Sequence, residues 1–459
     1  MVNLLNHRFN YSVKRHKMKR LRTMPRFLLI LLFAALLTGS VFILGYSHKL
    51  SFDPTGEPAV SVLDLSVPEA TTGSAAAVVN AKTPDLPPQQ LLANPPAAVK
   101  AIYLTGWSAG SSSKIQWVIN LAKSTELNAV VIDIKDYSGY VSYAMDVPEV
   151  KSSGADRQIR IARPNALIKQ LHDNNIYTIA RVTVFQDPIL AAARPDLAVK
   201  NKITGEVWKG QKDLAWLDPA GHDTWDYVAA VANDAVSRGF DEINFDYVRF
   251  PSDGLLYNME FPFYKPTVEK REALKEFFGY LREHVKGNIS ADVFGLTTVA
   301  GDDMGIGQTI EDAAQYFDYV APMVYPSHYA AGFIGYKNPA AHPYEVVSYS
   351  LNNAIAKFLK IPAGPDGTAP RLAKLRPWLQ DFDIGAVYTA SMVQDEMKAV
   401  TDSFCFTEPT ETEAAALAKL TGPSRECASG GTDGRKYMYD GWMLWDPNNT
   451  YTTSALAQK

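Results

Sequence analysis

Cysteine is nearly absent. Two residues in 459, Cys405 and Cys427, cannot staple a disulfide scaffold. Both fall in one late segment, and outside the cytoplasm they would pair to close that loop. Histidine is scarce too: there are eight, none arranged as His-Glu-x-x-His. A metal-dependent hydrolase or deacetylase is therefore disfavoured, and neither a metal nor another cofactor is expected. No Gly-x-Ser-x-Gly elbow occurs, which argues against a serine hydrolase. The early Gly106-Trp107-Ser108-Ala109-Gly110 run is not the fingerprint of a dinucleotide-binding turn. Excess positive charge is missing as well: the net charge is -4, and no nucleic-acid partner is expected.

Long apolar runs are confined to one place. Seven basic residues between Lys14 and Arg26 precede an uncharged apolar run, Phe27–Tyr46. About 20 residues at about 1.5 Å each span roughly one bilayer core. The basic flank places the N-terminus in the cytoplasm and the remainder outside, as a single-pass protein of the cell membrane. A cleaved signal peptide would have a shorter apolar core. Residues 1–46 are thus read as a basic tail and membrane anchor. Residues 47–98, rich in Pro, Ala, Ser and Thr, are read as a flexible or semi-extended linker.

With 47% hydrophobic and 20% charged residues, what remains has an ordinary globular composition. From residue 99 to 459, strand-like and helix-like runs alternate. The strand candidates are Lys100–Trp107, Ala129–Asp136, Tyr177–Gln186, Glu242–Phe250, Ile289–Thr298, Tyr319–Tyr325, Pro377–Asp381 and Trp442–Asp446. Helical patterns separate most of them. Eight such units predict an α/β fold, a (β/α)8 TIM barrel. A doubly wound open sheet is the competing architecture.

The chain centres on Asp241–Ser252. Ile243, Phe245 and Tyr247 mark a strand, while Asn244 and Asp246 share its other face. A carboxylate on such a strand must meet water, a cation or a ligand. Acids recur near other strand ends: Asp133, Asp136, Asp292, Asp381 and Asp446. A lone strand-end Asp is usually a cap or an ion-pair partner, but catalytic groups in barrels converge from several strands. Two carboxyls across a small gap suit glycoside hydrolysis, one as acid and one as nucleophile or base. Arg181 and Arg249 could hold one of them ionised, although Arg181 could equally neutralise an interior Asp. Tyr325 and His328 are candidates to position substrate. Trp107, Trp208, Trp216, Trp442 and Trp445 are candidates to stack on sugar rings, with about half of them expected in the core.

Several stretches together resemble the DUF4015 family of glycoside-hydrolase-like domains. They are Phe245-Asp246-Tyr247-Val248-Arg249-Phe250-Pro251, Ala291-Asp292-Val293-Phe294-Gly295, Ala321–Tyr329, Ala129–Tyr140, Arg194-Pro195-Asp196-Leu197 and Trp216-Leu217-Asp218-Pro219. The resemblance runs from about Val99 to Tyr451. It implies a TIM-barrel glycosidase distantly similar to α-glycosidases, with the strand-four acid, Asp246, as nucleophile. Asp292 is the nearest match for the acid partner. Asp133, Arg181, Asn244, Arg249, Tyr325, His328, Asp381 and Trp445 are expected to line the substrate site. The expected partner is a polysaccharide or oligosaccharide, extracytoplasmic or of the cell envelope. A glycan-binding or scaffolding barrel without turnover is the competing function.

Overall fold

The structure is a computed structural model, described here for residues 83–363, 370–404 and 438–459. The predicted anchor, most of the linker, Cys405 and Cys427 lie outside the described residues.

Eight parallel strands form the barrel. They are β1 Val99–Leu104, β2 Ala129–Lys135, β3 Tyr177–Thr183, β4 Glu242–Asp246, β5 Asn288–Phe294, β6 Tyr319–Met323, β7 Trp378–Gln380 and β8 Gly441–Trp445. Each pairs with the next, β8 pairs with β1, and Trp378 opposite Met323 joins β7 to β6. Strands such as β2 are buried along their whole length, which is why they read as mostly Val/Ile runs, interrupted in β2 by Asp133. The helices α1 Ser112–Ser124, α2 Pro164–His172, α3 His222–Arg238, α4 Lys270–His284, α5 Ile310–Tyr316, α6 Pro343–Phe358 and α7 Ala390–Phe404 fall between successive strands. Helix α3 stops at Gly239, whose φ of 105° is the left-handed conformation glycine adopts freely.

Buried apolar residues form two clusters. One lies between strands and helices. The other, including Ala101, Tyr103, Val131, Ile179, Ala321, Trp378 and Met443, fills the lumen. Side-chain alternation along each strand divides them. Near the strand N-termini, Arg376 pairs with Glu242 at 2.9 Å and Asp440 at 2.6 Å.

Several expectations need correction: β1 ends at Leu104, with Gly106–Ala109 a helical turn in place of the strand expected to reach Trp107, and β3 ends at Thr183, not Gln186. Strand β4 ends at Asp246, not Phe250, because Tyr247 has φ 55° and turns the backbone out of the sheet. Strand β5 ends at Phe294, and Gly295–Thr298 is a 3-10 turn. The seventh strand is broken: Lys374–Leu375 pairs with β6, Arg376-Pro377 interrupts, and β7 follows.

The end of the predicted linker is also fixed to the barrel. Asp85 accepts the main-chain N–H groups of Asn165 and Ala166 at 2.9 and 3.0 Å. Helix α2 has no side-chain cap of its own, so this carboxylate supplies one from outside. Farther along, Gln89 donates its N–H to the Arg238 carbonyl, and Leu92, buried against the lumen cluster, donates to Asp241.

Candidate active site

The inward positions of β2, β3, β4 and β5 carry polar side chains in two successive rows. Asp133 is opposite Arg181, Arg181 opposite Asn244, and Thr183 opposite Asp246. This register makes Arg181 a hub. Its guanidinium donates to Asp133 at 2.6 Å, to Asp292 at 3.4 Å, and in a close contact to Asp246. The same group lies over the rings of Trp445 and Tyr103, 5.0 and 5.6 Å from their centroids.

Each carboxylate has its own further partners. Asp246 accepts the main-chain N–H of Tyr247 at 2.6 Å, a bond made available by the turn at Tyr247. Asp292 accepts from Asn244 at 2.8 Å and from the indole N–H of Trp378 at 2.7 Å. Asp133 accepts from the Tyr103 hydroxyl at 2.5 Å. Burial pushes the Asp292 carboxyl up to about 7, and the neighbouring charge of Asp246 pushes in the same direction. Burial likewise raises Asp133 to about 6, against the pull of Arg181. Asp246 is 6% exposed and Asp292 1%.

The other predicted residues divide. Asn244 belongs to the centre as the residue that orients Asp292. Trp445 stacks on Tyr103 with ring centroids 3.9 Å apart and joins it beside Arg181. Tyr325 is buried within electrostatic reach of Asp292, Arg181 and Asp246, edge-on to His328 and Phe382. His328 exchanges a hydrogen bond with Ser327, and burial lowers its pKa to about 4, so it is neutral at neutral pH. Arg249 donates to the Phe250 carbonyl and the Ser252 hydroxyl and lies over Trp216, Tyr247 and Phe294. It braces the loop after β4.

Asp381 does not join the centre. It accepts the N–H of Thr452 at 2.8 Å and so fastens the C-terminal segment. Asp446 similarly accepts from Asn448 and Thr450, and Asp136 pairs with Arg160. Trp208, Trp216 and Trp442 are buried in the shell between strands and helices.

Two participants escape the sequence reading. Tyr103 and Trp378 sit on β1 and β7 with polar atoms aimed at the acids. The signal available is chemical: a lumen-facing Tyr or Trp needs a partner for its O–H or N–H. Among the described residues, no group of three His, Cys, Asp or Glu is arranged to hold a metal ion. Nor is any described helix long and apolar enough to cross a membrane.

Fold and centre together define an eight-stranded parallel barrel with acids from three strands gathered on one arginine. The chain belongs to the DUF4015 family, described as "Putative glycosyl hydrolase domain", whose model matches residues 101–407. A hypothetical protein from Ruminiclostridium thermocellum ATCC 27405 is 40% identical over 45% of this chain and 98% of its own, with a TM-score of 0.39. The glycoside hydrolase domain of PgaB (BpsB) from Bordetella bronchiseptica is 12% identical over 79% of this chain and 100% of its own, with a TM-score of 0.49. The α-galactosidase TtGalA from Thermus thermophilus is 13% identical over 73% of this chain and 64% of its own, with a TM-score of 0.42. No curated protein matches the chain.

Proposed function

We propose that the protein is a glycoside hydrolase working through Asp246 and Asp292. The observation that carries this is the pair itself: two acids on adjacent strands, sharing Arg181, in different electrostatic settings. Asp246 accepts a guanidinium and a main-chain N–H, contacts that suit an anion acting as nucleophile or base. Asp292, with its raised proton affinity, suits the acid that protonates the leaving oxygen. Asn244 and Trp378 orient it, Asp133 holds Arg181, and Trp445 and Tyr325 line the approach. The substrate is a polysaccharide or oligosaccharide outside the cytoplasm, reached by an enzyme tethered through residues 27–46.

Reducing-sugar release from a glycan panel tests this. Asp246→Asn should abolish release, and Asp292→Asn should lower kcat by about 10²–10⁴-fold, the usual worth of a general acid. Full activity in Asp246→Asn removes the mechanism.

One observation favours a second reading. Arg181 bonds all three carboxylates, and Asp246 is almost fully covered. A barrel that binds glycan without cleaving it would keep such a closed network. It predicts retention on a glycan column with no new reducing ends.

A further inference from the structure

We propose that Trp107 and Tyr137 form an outer sugar platform at the mouth of the barrel, so that the ligand is an oligosaccharide chain and not a single sugar. The position of the reacting bond in this proposal rests on the hydrolase reading above.

The two rings follow neighbouring strands. Trp107 stands just after β1 and Tyr137 just after β2, at the strand ends toward which Asp133 and Arg181 lie. They are 63% and 45% exposed, whereas Trp208, Trp216, Trp225, Trp378 and Trp442 are buried. Aromatic side chains this exposed forgo apolar burial, and beside a cluster of polar groups they mark a binding surface.

Their presentation is built, not incidental. Trp107 sits in a one-turn helix, Gly106–Ala109, capped by the Thr105 hydroxyl. Gly106 and Gly110 let this turn press inward. A Cβ at Gly106 would fall 2.2 Å from the Ser142 hydroxyl, and one at Gly110 would fall 2.0 Å from the Arg160 carbonyl. That is the use of the Gly-Trp-Ser-Ala-Gly run, which matches no phosphate loop. Arg160, itself buried, lies 5.4 Å from the Trp107 ring centroid. The same guanidinium donates to Asp136 at 2.5 Å and to Ser138 at 3.4 Å, the residues on either side of Tyr137. One cation therefore ties both ring-bearing loops together.

The chemistry of the surface selects the ligand. A pyranose presents an apolar C–H face to a ring and hydroxyls to neighbouring charged groups. A nucleic acid would also stack, but its phosphates would approach a mouth rich in carboxylates. Tyr103, which bonds Asp133, precedes Trp107 by four residues, so at most about 15 Å of backbone separates their Cα atoms. Tyr103 lies within β1 and Trp107 in the turn beyond it, so the acids and the platform stand on successive segments, and the ligand of this proposal spans both with more than one ring.

The test uses the full-length chain in a non-glycosidic detergent, with Asp246→Asn to prevent turnover. Chitohexaose, cellohexaose, xylohexaose, maltohexaose and the corresponding disaccharides are titrated by calorimetry. One hexaose should bind at least ten-fold more tightly than its disaccharide. Adding Trp107→Ala should erase that advantage, and Trp107→Phe should keep most of it. Unchanged hexaose binding in Trp107→Ala, or no binding by any hexaose, overturns the platform. In the chain with Asp246 intact, hydrolysis that needs Asp246 but shows the same KM in Trp107→Ala removes the platform and leaves the hydrolase. Trp107-dependent binding without any hydrolysis does the opposite.

Discussion

Arg181 brings one positive charge to three carboxylates, and that imbalance governs its neighbours. At least one acid is best left protonated, and Asp292, held up at about 7, is the one placed to keep its proton. If it serves as the acid, activity should fall on the alkaline side with an apparent pKa near 7, read from a pH profile of kcat. The same group makes a statement about stability. Below its ordinary value of 3.8, folded and unfolded chains both hold the proton. Between there and about 7 only the folded chain holds it, so the folded state loses stability as the pH rises through that window. In Asp292→Asn that loss is absent. Urea titrations at several pH values should show the stability difference moving in the variant's favour from pH 4 to 7; a flat difference would contradict the assignment. At this scale the sequence was partly legible. Alternation put Asn244 and Asp246 on one face of their strand, while Asp133 and Asp292 were legible only as acids near strand ends. Asp381 carries the same strand-end signature yet fastens Thr452, because what separates the two roles is where the chain returns 71 residues later.

Elements were legible where their periods were clean. The strands read as apolar runs because helices cover them. Their ends did not, since a left-handed Tyr247 or a 3-10 turn after Phe294 leaves no mark in hydropathy. The Pro-rich segment misled for a related reason. Pro87-Pro88 reads as an extended spacer, and extended chain is also what can lie along a helix pair and offer Asp85 as a distant cap. Asp85→Ala should therefore cost about 1 kcal/mol, as removing a cap does. Denaturant unfolding measures it, and an unchanged midpoint would mean the N-terminal segment adds nothing to α2.

For the molecule as a whole, the apolar filling of the lumen has a buried charge cluster at each end. Near the strand N-termini Arg376 holds Glu242 and Asp440, both buried. Removing the cation strands two acids, so Arg376→Met should destabilise by about 3–5 kcal/mol. A loss under 1 kcal/mol in urea would mean those acids find water or protons elsewhere. This layer was invisible in the sequence, because Arg376 and Asp440 lie just outside strands and Glu242 reads as an ordinary strand start.

The circle of strands is completed by the residue that also secures the acid. Trp378 meets Met323 to close the ring, and its indole grips Asp292. It stands immediately after the break at Arg376-Pro377, where the circle is thinnest. Fraying on warming should start at this seam and release the carboxyl before the remaining strands part. The centre would then fall silent at a temperature the rest of the fold still survives.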